Sequence, residues 1–176
     1  MKSIFISQID TLFVNGSYPI EFLFFYKNKI KTNAIRKALK RLSISFWPPF
    51  GDYNNGWIGL SKYSDDYFFN EIHYNADFNY ANSERELWEK YNNINPPKME
   101  KLFFLSVLQF NNGTVIIPKM NHLAGDGYSY FYFLAVLAAI SKSSFIPFKK
   151  LAIRQLTLPN LYRTGLKKFQ FAKTDI

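Results

Sequence analysis

The sequence feature that most constrains the fold is a pair of apolar runs joined by a tight turn and followed by a polar loop and an apolar helix. The runs Leu102 to Phe110 and Thr114 to Met120 flank Asn111-Asn112-Gly113, and Asn-Gly between apolar runs is a strong signal for a β-hairpin. After the second run comes NHLAGD, and helix formers continue from Gly127 to about Ser141. The pattern predicts strands buried on both faces, with a histidine-bearing loop between the second strand and a buried helix.

That loop contains His122, followed by Asp126 and Gly127 in the spacing HxxxDG. Glycines at 125 and 127 allow backbone conformations that residues with a Cβ rarely adopt, so the loop can present an imidazole at the sheet edge. Asp126 could fold back or pair with a cation and so orient His122 as a general base. An ordinary connecting loop, with Asp126 as the N-cap of the next helix, fits the spacing equally well. The spacing alone leaves both interpretations open.

Length and composition favour one domain. The chain has 176 residues, of which 48% are hydrophobic, and this is enough to bury one sizeable core. We assign residues 1–158 to a single domain and leave the basic tail at 159–176 unassigned.

The net charge of +9 suggests nucleic-acid binding, but the positions of the basic residues favour a simpler explanation. Those between 29 and 41 accompany apolar residues at 35, 38, 39 and 42. This is helical spacing, so the basic side chains form the solvated face of an amphipathic helix. A second basic group between 149 and 173 could attract an anionic ligand such as a phosphorylated cofactor. We expect no nucleic-acid partner.

Several site classes are excluded or disfavoured. The chain has no cysteine, which removes disulfides, thiol nucleophiles and thiolate metal sites. His73 and His122 are far apart in sequence, and His73 is predicted to be a half-exposed strand residue, so we expect no metal site. The N-terminus lacks the long apolar segment of a signal peptide, and the apolar window 130–140 is too short to cross a bilayer. We expect a soluble cytoplasmic protein.

The remaining pattern mixes strands with helices, which predicts an α+β fold with helices packed against a mixed sheet. The expected elements are a strand at Ile20 to Tyr26, a helix capped by Thr32 and ending near Ser45, strands at Trp57 to Lys62 and Tyr67 to Tyr74 joined by a turn at Ser64-Asp65-Asp66, a helix opened by the capping box Ser83-Glu84-Arg85-Glu86, and a last strand or extended arm at Leu151 to Leu158.

The hairpin, loop and helix together, LFFLSVLQFNNGTVIIPKMNHLAGDGYSYFYFL, resemble the signature region of the CoA-dependent acyltransferase superfamily. That group includes chloramphenicol acetyltransferase, the condensation domains of peptide synthetases and the BAHD acyltransferases. The similarity continues at Ser129 and Phe133-Leu134. Further upstream, a second set of positions resembles the N-terminal region of BAHD enzymes: Asp10, Phe25-Tyr26, Ala38-Leu39, Trp47 to Gly51 and Ala76-Asp77.

Two departures narrow the resemblance. Chloramphenicol acetyltransferases and condensation domains carry two adjacent histidines, whereas Asn121 precedes His122 here, which favours a BAHD-like branch. BAHD enzymes have two similar halves with the active site in a tunnel between them, and their second half carries a DFGWG motif that this chain lacks. The resemblance therefore implies a chloramphenicol acetyltransferase-like, two-layer domain equivalent to the N-terminal half.

The resemblance also implies a mechanism. His122 would take a proton from a hydroxyl or amine acceptor, which attacks the thioester of acyl-CoA directly, so acyl-CoA is a co-substrate and no bound cofactor is needed. Gly127 would permit the turn into the helix, and the oxyanion donor would come from a facing half that this sequence does not identify. Asp126 would be structural, held by an arginine; the possible partners are Arg36, Arg41, Arg85 and Arg154.

A half-enzyme leaves three possibilities. The chain is one part of a longer enzyme, or it completes its active site by homo-oligomerisation, or it is a non-catalytic interaction module that keeps the loop for folding. The acyl donor and the acceptor are not specified by the sequence.

Overall fold

The computed structural model describes residues 3–6, 20–79, 81–91, 94 and 101–142. Its strands are β1 Ser3–Phe5, β2 Ile20–Glu21, β3 Phe24–Tyr26, β4 Asp52–Asn54, β5 Trp57–Gly59, β6 Phe69–His73, β7 Phe103–Phe110 and β8 Gly113–Met120. Its helices are α1 Thr32–Ser45, α2 Asp65–Phe68, α3 Glu84–Tyr91 and α4 Gly127–Lys142, with 3-10 turns at Pro48–Phe50 and His122–Ala124.

The predicted hairpin forms the centre of a mixed five-stranded sheet. β7 and β8 pair antiparallel along their whole length, from Phe103 opposite Met120 to Phe110 opposite Gly113. β6 pairs in parallel with β7, and β2 and β3 both pair antiparallel with the outer edge of β8. The prediction of helices packed on a mixed sheet is confirmed.

The hairpin is buried on both faces, as its continuous apolar runs predicted. Every residue of β7 is buried, and so is all of β8 except Ile116. One face, represented by Phe103, Leu105 and Val107, packs against α1 and α4. The opposite face, represented by Leu108 and Ile117, packs against Phe78 and the aromatic ring of Tyr91 from α3. The two sides of the hairpin therefore carry separate hydrophobic clusters.

A second, smaller sheet has the strand order β1-β5-β4 and is antiparallel. It is connected to the main sheet by Lys101, which forms an isolated bridge with Asp52. The Lys101 side chain is buried and its ammonium group pairs with the Asp52 carboxylate and lies 3.3 Å from Ser61 Oγ. Phe5 and Trp57 stack edge to face on this sheet, with ring centroids 5.0 Å apart.

Some local predictions were wrong. The two strands expected between 57 and 74 are not a hairpin: β5 belongs to the small sheet, β6 belongs to the main sheet, and the short helix α2 lies between them. Thr32 does not cap α1, because it is the first helical residue and its hydroxyl donates to Glu71 Oε2 at 2.9 Å. The Ile20 to Tyr26 strand is divided into β2 and β3 around Phe22-Leu23.

Other local predictions are confirmed. In the capping box, Glu86 Oε2 accepts from the Ser83 amide at 2.8 Å, and Ser83 Oγ accepts from the Glu86 amide at 3.3 Å. The helix after the loop begins at Gly127, as expected. The prediction that this helix is covered on most faces was wrong. Its buried residues lie on one face (Ser129, Tyr130, Phe133, Leu137 and Ile140), and Tyr128 and Phe131 are exposed. The segment Leu151 to Leu158, Asp10 and the C-terminal basic group lie outside the described residues.

The turn end of the hairpin is closed by a polar network. Thr114 Oγ1 accepts from the Ile30 amide at 3.0 Å and donates to Gln109 Oε1 at 2.9 Å. The Gln109 amide group then donates to the Ile30 carbonyl at 3.0 Å and to Glu71 Oε1 at 3.4 Å. Arg36 of α1 lies 3.5 Å from Glu71 and stacks on the Phe69 ring. These contacts fix α1 against β6, β7 and β8.

None of the helices that the structure describes is long and apolar enough to pass through a membrane.

Candidate functional site

His122 lies immediately beyond β8, at the end of the sheet opposite the hairpin turn. The strand is held up to its last residue, because the Asn121 amide donates to the Leu102 carbonyl at 2.8 Å. Asn121 then caps the 3-10 turn with its side chain, which accepts from the Leu123 amide at 2.9 Å. His122 is the first residue of that turn and is exposed to solvent. The imidazole is therefore presented at the sheet edge rather than packed in the core.

The other two residues of the turn attach it to the domain. Leu123 and Ala124 pack against a small cluster that contains the buried side chains of Ile58 and Leu102, together with Trp47. This cluster joins the small sheet, the start of β7 and the segment after α1. His122 thus has an exposed side chain on a turn whose next two residues face inward.

Asp126 is the N-cap of α4. Its Oδ1 accepts from the Ser129 amide at 2.8 Å, and its carbonyl accepts from the Tyr130 amide at 2.9 Å. These are the contacts that the capping interpretation predicts for a residue at a helix N-terminus. Arg36 pairs with Asp65 and Glu71, and Arg85 pairs with Glu89, so these two candidate partners are engaged elsewhere. Arg154 lies outside the described residues.

The two glycines beside Asp126 differ in their surroundings. A Cβ on Gly125 would lie 2.7 Å from Ser129 Cβ, which is closer than real side chains approach, whereas a Cβ on Gly127 would meet nothing within 4 Å. Neither glycine has a backbone φ in the left-handed region. The steric requirement for glycine in this loop is therefore at Gly125 and arises from close packing against α4 rather than from backbone conformation.

A buried ion pair that was not predicted from the sequence includes a residue three positions before His122. Lys119 Nζ is 3.1 Å from Glu21 Oε1, and both side chains are 7% exposed. Burial raises the pKa of the Glu21 carboxyl, and Lys119 opposes that shift. Register explains the pairing, since Glu21 is opposite Lys119 across β2 and β8. The available sequence signal was a single charge in the apolar run VIIPKM.

Tyr130 connects α4 to β8, the strand that also carries Lys119. The ring is fully buried, and its hydroxyl donates to the Pro118 carbonyl at 2.9 Å. Proline at 118 leaves no amide there, but its carbonyl still needs a donor, which the tyrosine supplies. Burial raises the pKa of the Tyr130 hydroxyl, so the group stays protonated and keeps donating. The strand before His122 and the helix after it are thus directly joined.

The pocket found among the described residues does not include His122. A surface pocket of about 280 Å³ is lined by Ser43, Ile44, Trp47, Leu60, Ser61 and Tyr63, and His122 is not among them. His73 lies at the end of β6 with an exposed side chain, 3.6 Å from Glu71. In the ranges the structure describes, no three His, Asp or Glu side chains come together as metal ligands would.

The sequence matches no family model and no curated protein, but the structure is similar to several solved ones. Vinorine synthase is 21% identical with a TM-score of 0.62, over 80% of this chain and 38% of that one. F. sporotrichioides TRI101, complexed with coenzyme A and T-2, is 14% identical with a TM-score of 0.58, over 86% and 44%. The epimerization domain from the third module of tyrocidine synthetase B is 16% identical with a TM-score of 0.58, over 99% and 45%.

These similarities confirm the fold predicted from the resemblance. The domain has the same α+β fold as the matching parts of vinorine synthase, TRI101 and the tyrocidine synthetase epimerization domain. It spans between 38% and 45% of the length of those three structures.

Proposed function

We propose that this domain carries the general base of an acyltransferase and that the base is His122. The observation that supports this most directly is an exposed imidazole on a capped turn at the sheet edge, in a fold shared with acyltransferases. A catalytic histidine must reach a substrate, and a loop residue supported by a rigid strand is suited to that task.

In the proposed reaction, His122 accepts the proton of an acceptor hydroxyl or amine as the acceptor oxygen or nitrogen bonds to the acyl-CoA carbonyl carbon. The carbonyl oxygen becomes an oxyanion in the tetrahedral intermediate. When the intermediate collapses, the carbon–sulfur bond breaks and the departing CoA thiolate receives the proton from the imidazolium. The products are an ester or amide and free CoA, and the histidine returns to its neutral state.

A second protein surface is part of this proposal. His122 is exposed, and the oxyanion needs a donor at about 3 Å in a site from which water is excluded. The donor would come from a facing half-domain. That half would be supplied either by another segment of a longer polypeptide or by a second copy of this chain. This domain spans 38% to 45% of the length of the three solved structures, which supports the need for a second half.

An exposed aromatic surface next to the loop also supports a partner. It consists of Phe22, Tyr128 and Phe131, which are 45%, 71% and 48% exposed. The rings of Phe22 and Phe131 lie 5.1 Å apart, and Tyr128 is one helical turn before Phe131 on α4. Contiguous exposed aromatics are frequent at protein interfaces and uncommon elsewhere.

The test is release of CoA from acetyl-CoA in the presence of a panel of alcohols and amines, followed with a thiol reagent. The assay has no protein background because the chain has no cysteine. We expect His122→Gln to lower the rate by about a hundredfold or more, with unchanged thermal stability because the side chain is exposed. His73→Gln is the matched control and should keep the wild-type rate. Equal rates for the two variants would remove His122 from the mechanism.

The alternative is a non-catalytic interaction module. The capping contact of Asp126 with Ser129 favours it, because that contact explains the aspartate of the motif without any chemistry. This alternative predicts no thioester cleavage by the protein under any of the conditions above, including after addition of a complementary half-domain. Measurement of the mass in solution then separates a self-associating domain from a monomer.

A further inference from the structure

We infer that Gly125 is a positioning residue for His122, acting through its contact with the first turn of α4. This inference rests on the proposed function for its catalytic meaning, but the contact itself is independent of it. The HxxxDG spacing draws attention to residues 122, 126 and 127. Gly125 was expected to matter for backbone conformation, but in the structure it is constrained instead by its close approach to Ser129 of α4.

The first step is the steric one. A Cβ at position 125 would lie 2.7 Å from Ser129 Cβ and 3.3 Å from its Oγ. Ser129 Cβ is fixed by the helix backbone and cannot rotate away, unlike the end of a long side chain. Any residue other than glycine must therefore separate the loop from α4.

The second step is to decide which of the two moves. α4 is held by the Asp126 cap, by the buried Tyr130 with its hydrogen bond to Pro118, and by the buried Phe133. The 3-10 turn is held less firmly, because Leu123 and Ala124 are only partly buried. The turn will therefore yield to the helix.

The third step connects the turn to the imidazole. The Gly125 amide donates to the His122 carbonyl at 3.3 Å, which closes the 3-10 turn. A displacement of residue 125 thus acts on the backbone of residue 122 across a single hydrogen bond. The direction of the His122 ring depends on that backbone, and a shift of about 1 Å in a reacting group can cost about a hundredfold in rate.

The experiment compares Gly125→Ala with Gly59→Ala, whose Cβ would meet its nearest neighbour, the Asp52 carbonyl, only at 4.0 Å. With two histidines in the chain, the imidazole proton signals can be assigned by His73→Gln and followed by NMR. We expect Gly125→Ala to shift or broaden the His122 signal and leave that of His73 in place. Gly59→Ala should leave both signals unchanged.

The activity measurement uses acetyl-CoA and the best acceptor found for the wild type. We expect kcat of Gly125→Ala to fall about tenfold to a hundredfold while the KM for acetyl-CoA changes less than about threefold. A loss caused by partial unfolding would instead follow the folded fraction and recover on cooling. Gly59→Ala should keep the wild-type kcat.

Rescue tests the contact directly. Ser129→Gly removes the Cβ that alanine at 125 would meet, so the double variant should restore the His122 signal and kcat to those of Ser129→Gly alone. If Gly125→Ala does not fold, the double variant should fold, and its failure to do so would overturn the inference. An unperturbed His122 signal in a folded Gly125→Ala would overturn it as well.

The two proposals can fail separately. If the wild type releases no CoA, the proposed function fails, and the NMR comparison still decides whether Gly125 holds the turn. If the wild type is active and His122→Gln is not, but Gly125→Ala behaves like Gly59→Ala, the positioning role alone is wrong.

Discussion

The two ends of the β7–β8 hairpin are built in different ways. At the turn end, Thr114 and Gln109 are buried and satisfied by a network that reaches α1 and β6. At the loop end, Asn121 and Asp126 satisfy only backbone groups of their own turn and helix, and His122 is exposed. The polar groups of the turn end join three elements of the domain, whereas the loop end leaves the His122 side chain exposed to solvent.

The comparison shows that the loss of a polar side chain should affect the protein differently at the two ends of the hairpin. A polar group at the turn end is inaccessible to any substrate and costs free energy if its partner is lost. A polar group at the loop end is closer to solvent, so water can partly replace a lost partner. Polar substitutions at the turn end should therefore cost the most stability, whereas substitution of the exposed His122 should change activity.

The largest effect on stability is expected from Gly113→Ala at the turn end. A Cβ there would lie 2.2 Å from the Tyr26 carbonyl oxygen and 2.8 Å from the Phe25 ring, so β3 must leave β8 or the turn must distort. We expect a loss of about 2–3 kcal/mol in the free energy of unfolding, measured by urea denaturation. A loss below about 0.5 kcal/mol would show that the turn and β3 can move apart at little cost to admit the added Cβ.

Thr114→Val should cost about 1–3 kcal/mol, because it leaves the Ile30 amide and the side-chain Oε1 of Gln109 without this partner in a buried site. Thr114→Ser is the matched control, since it keeps the hydroxyl. The same denaturation experiment checks both variants. Equal stability of the valine and serine variants would contradict the role assigned to the network.

Asp126→Ala removes the cap of α4 at the loop end and should cost about 1 kcal/mol. Asp126→Asn should be nearly neutral in stability, because asparagine is an equally good N-cap. Thermal unfolding distinguishes the two. If both variants lost the same stability, the negative charge rather than the hydrogen bond to Ser129 would be the important property.

The smallest effect concerns α3 and pH. The hydrogen bonds from Ser83 lower the pKa of the Glu86 carboxyl below its usual 4.5. A carboxyl whose pKa is lowered in the folded state adds stability above pH 4.5. That stability is lost as the pH falls through the lowered pKa. Glu86→Gln should therefore flatten the acid limb of the stability profile slightly. An unchanged acid limb would mean that the capping box does not contribute.

Much of the fold could be predicted because the informative signals are local. The hairpin follows from the Asn-Gly turn, the helix after His122 from a continuous run of helix-forming residues, and the start of α3 from the capping box at Ser83. Each of these signals lies within a short stretch of sequence. The HxxxDG loop was found in the same way, and Asp126 as N-cap was one of its two open interpretations.

The failures have a common physical cause, which is that the deciding partner is distant in sequence. Thr32 matches a cap pattern but is drawn to Glu71, and β5 and β6 are neighbours in sequence but pair in different sheets. Gly113 was read as a turn residue, although the constraint on it comes from Tyr26. Lys119 could be paired with Glu21 only after the register of β2 was known.

The pairing of β2 with β8 also has a kinetic consequence. Ile20 lies opposite Met120, so the outer edge of the sheet cannot form until most of the intervening chain has been closed into a loop. Contacts of such long sequence separation slow folding, whereas a two-residue hairpin forms rapidly. We therefore expect the β7–β8 ribbon to form early and the β2 edge to be added last, so that β8 lacks its β2 neighbour next to the His122 turn until a late stage of folding.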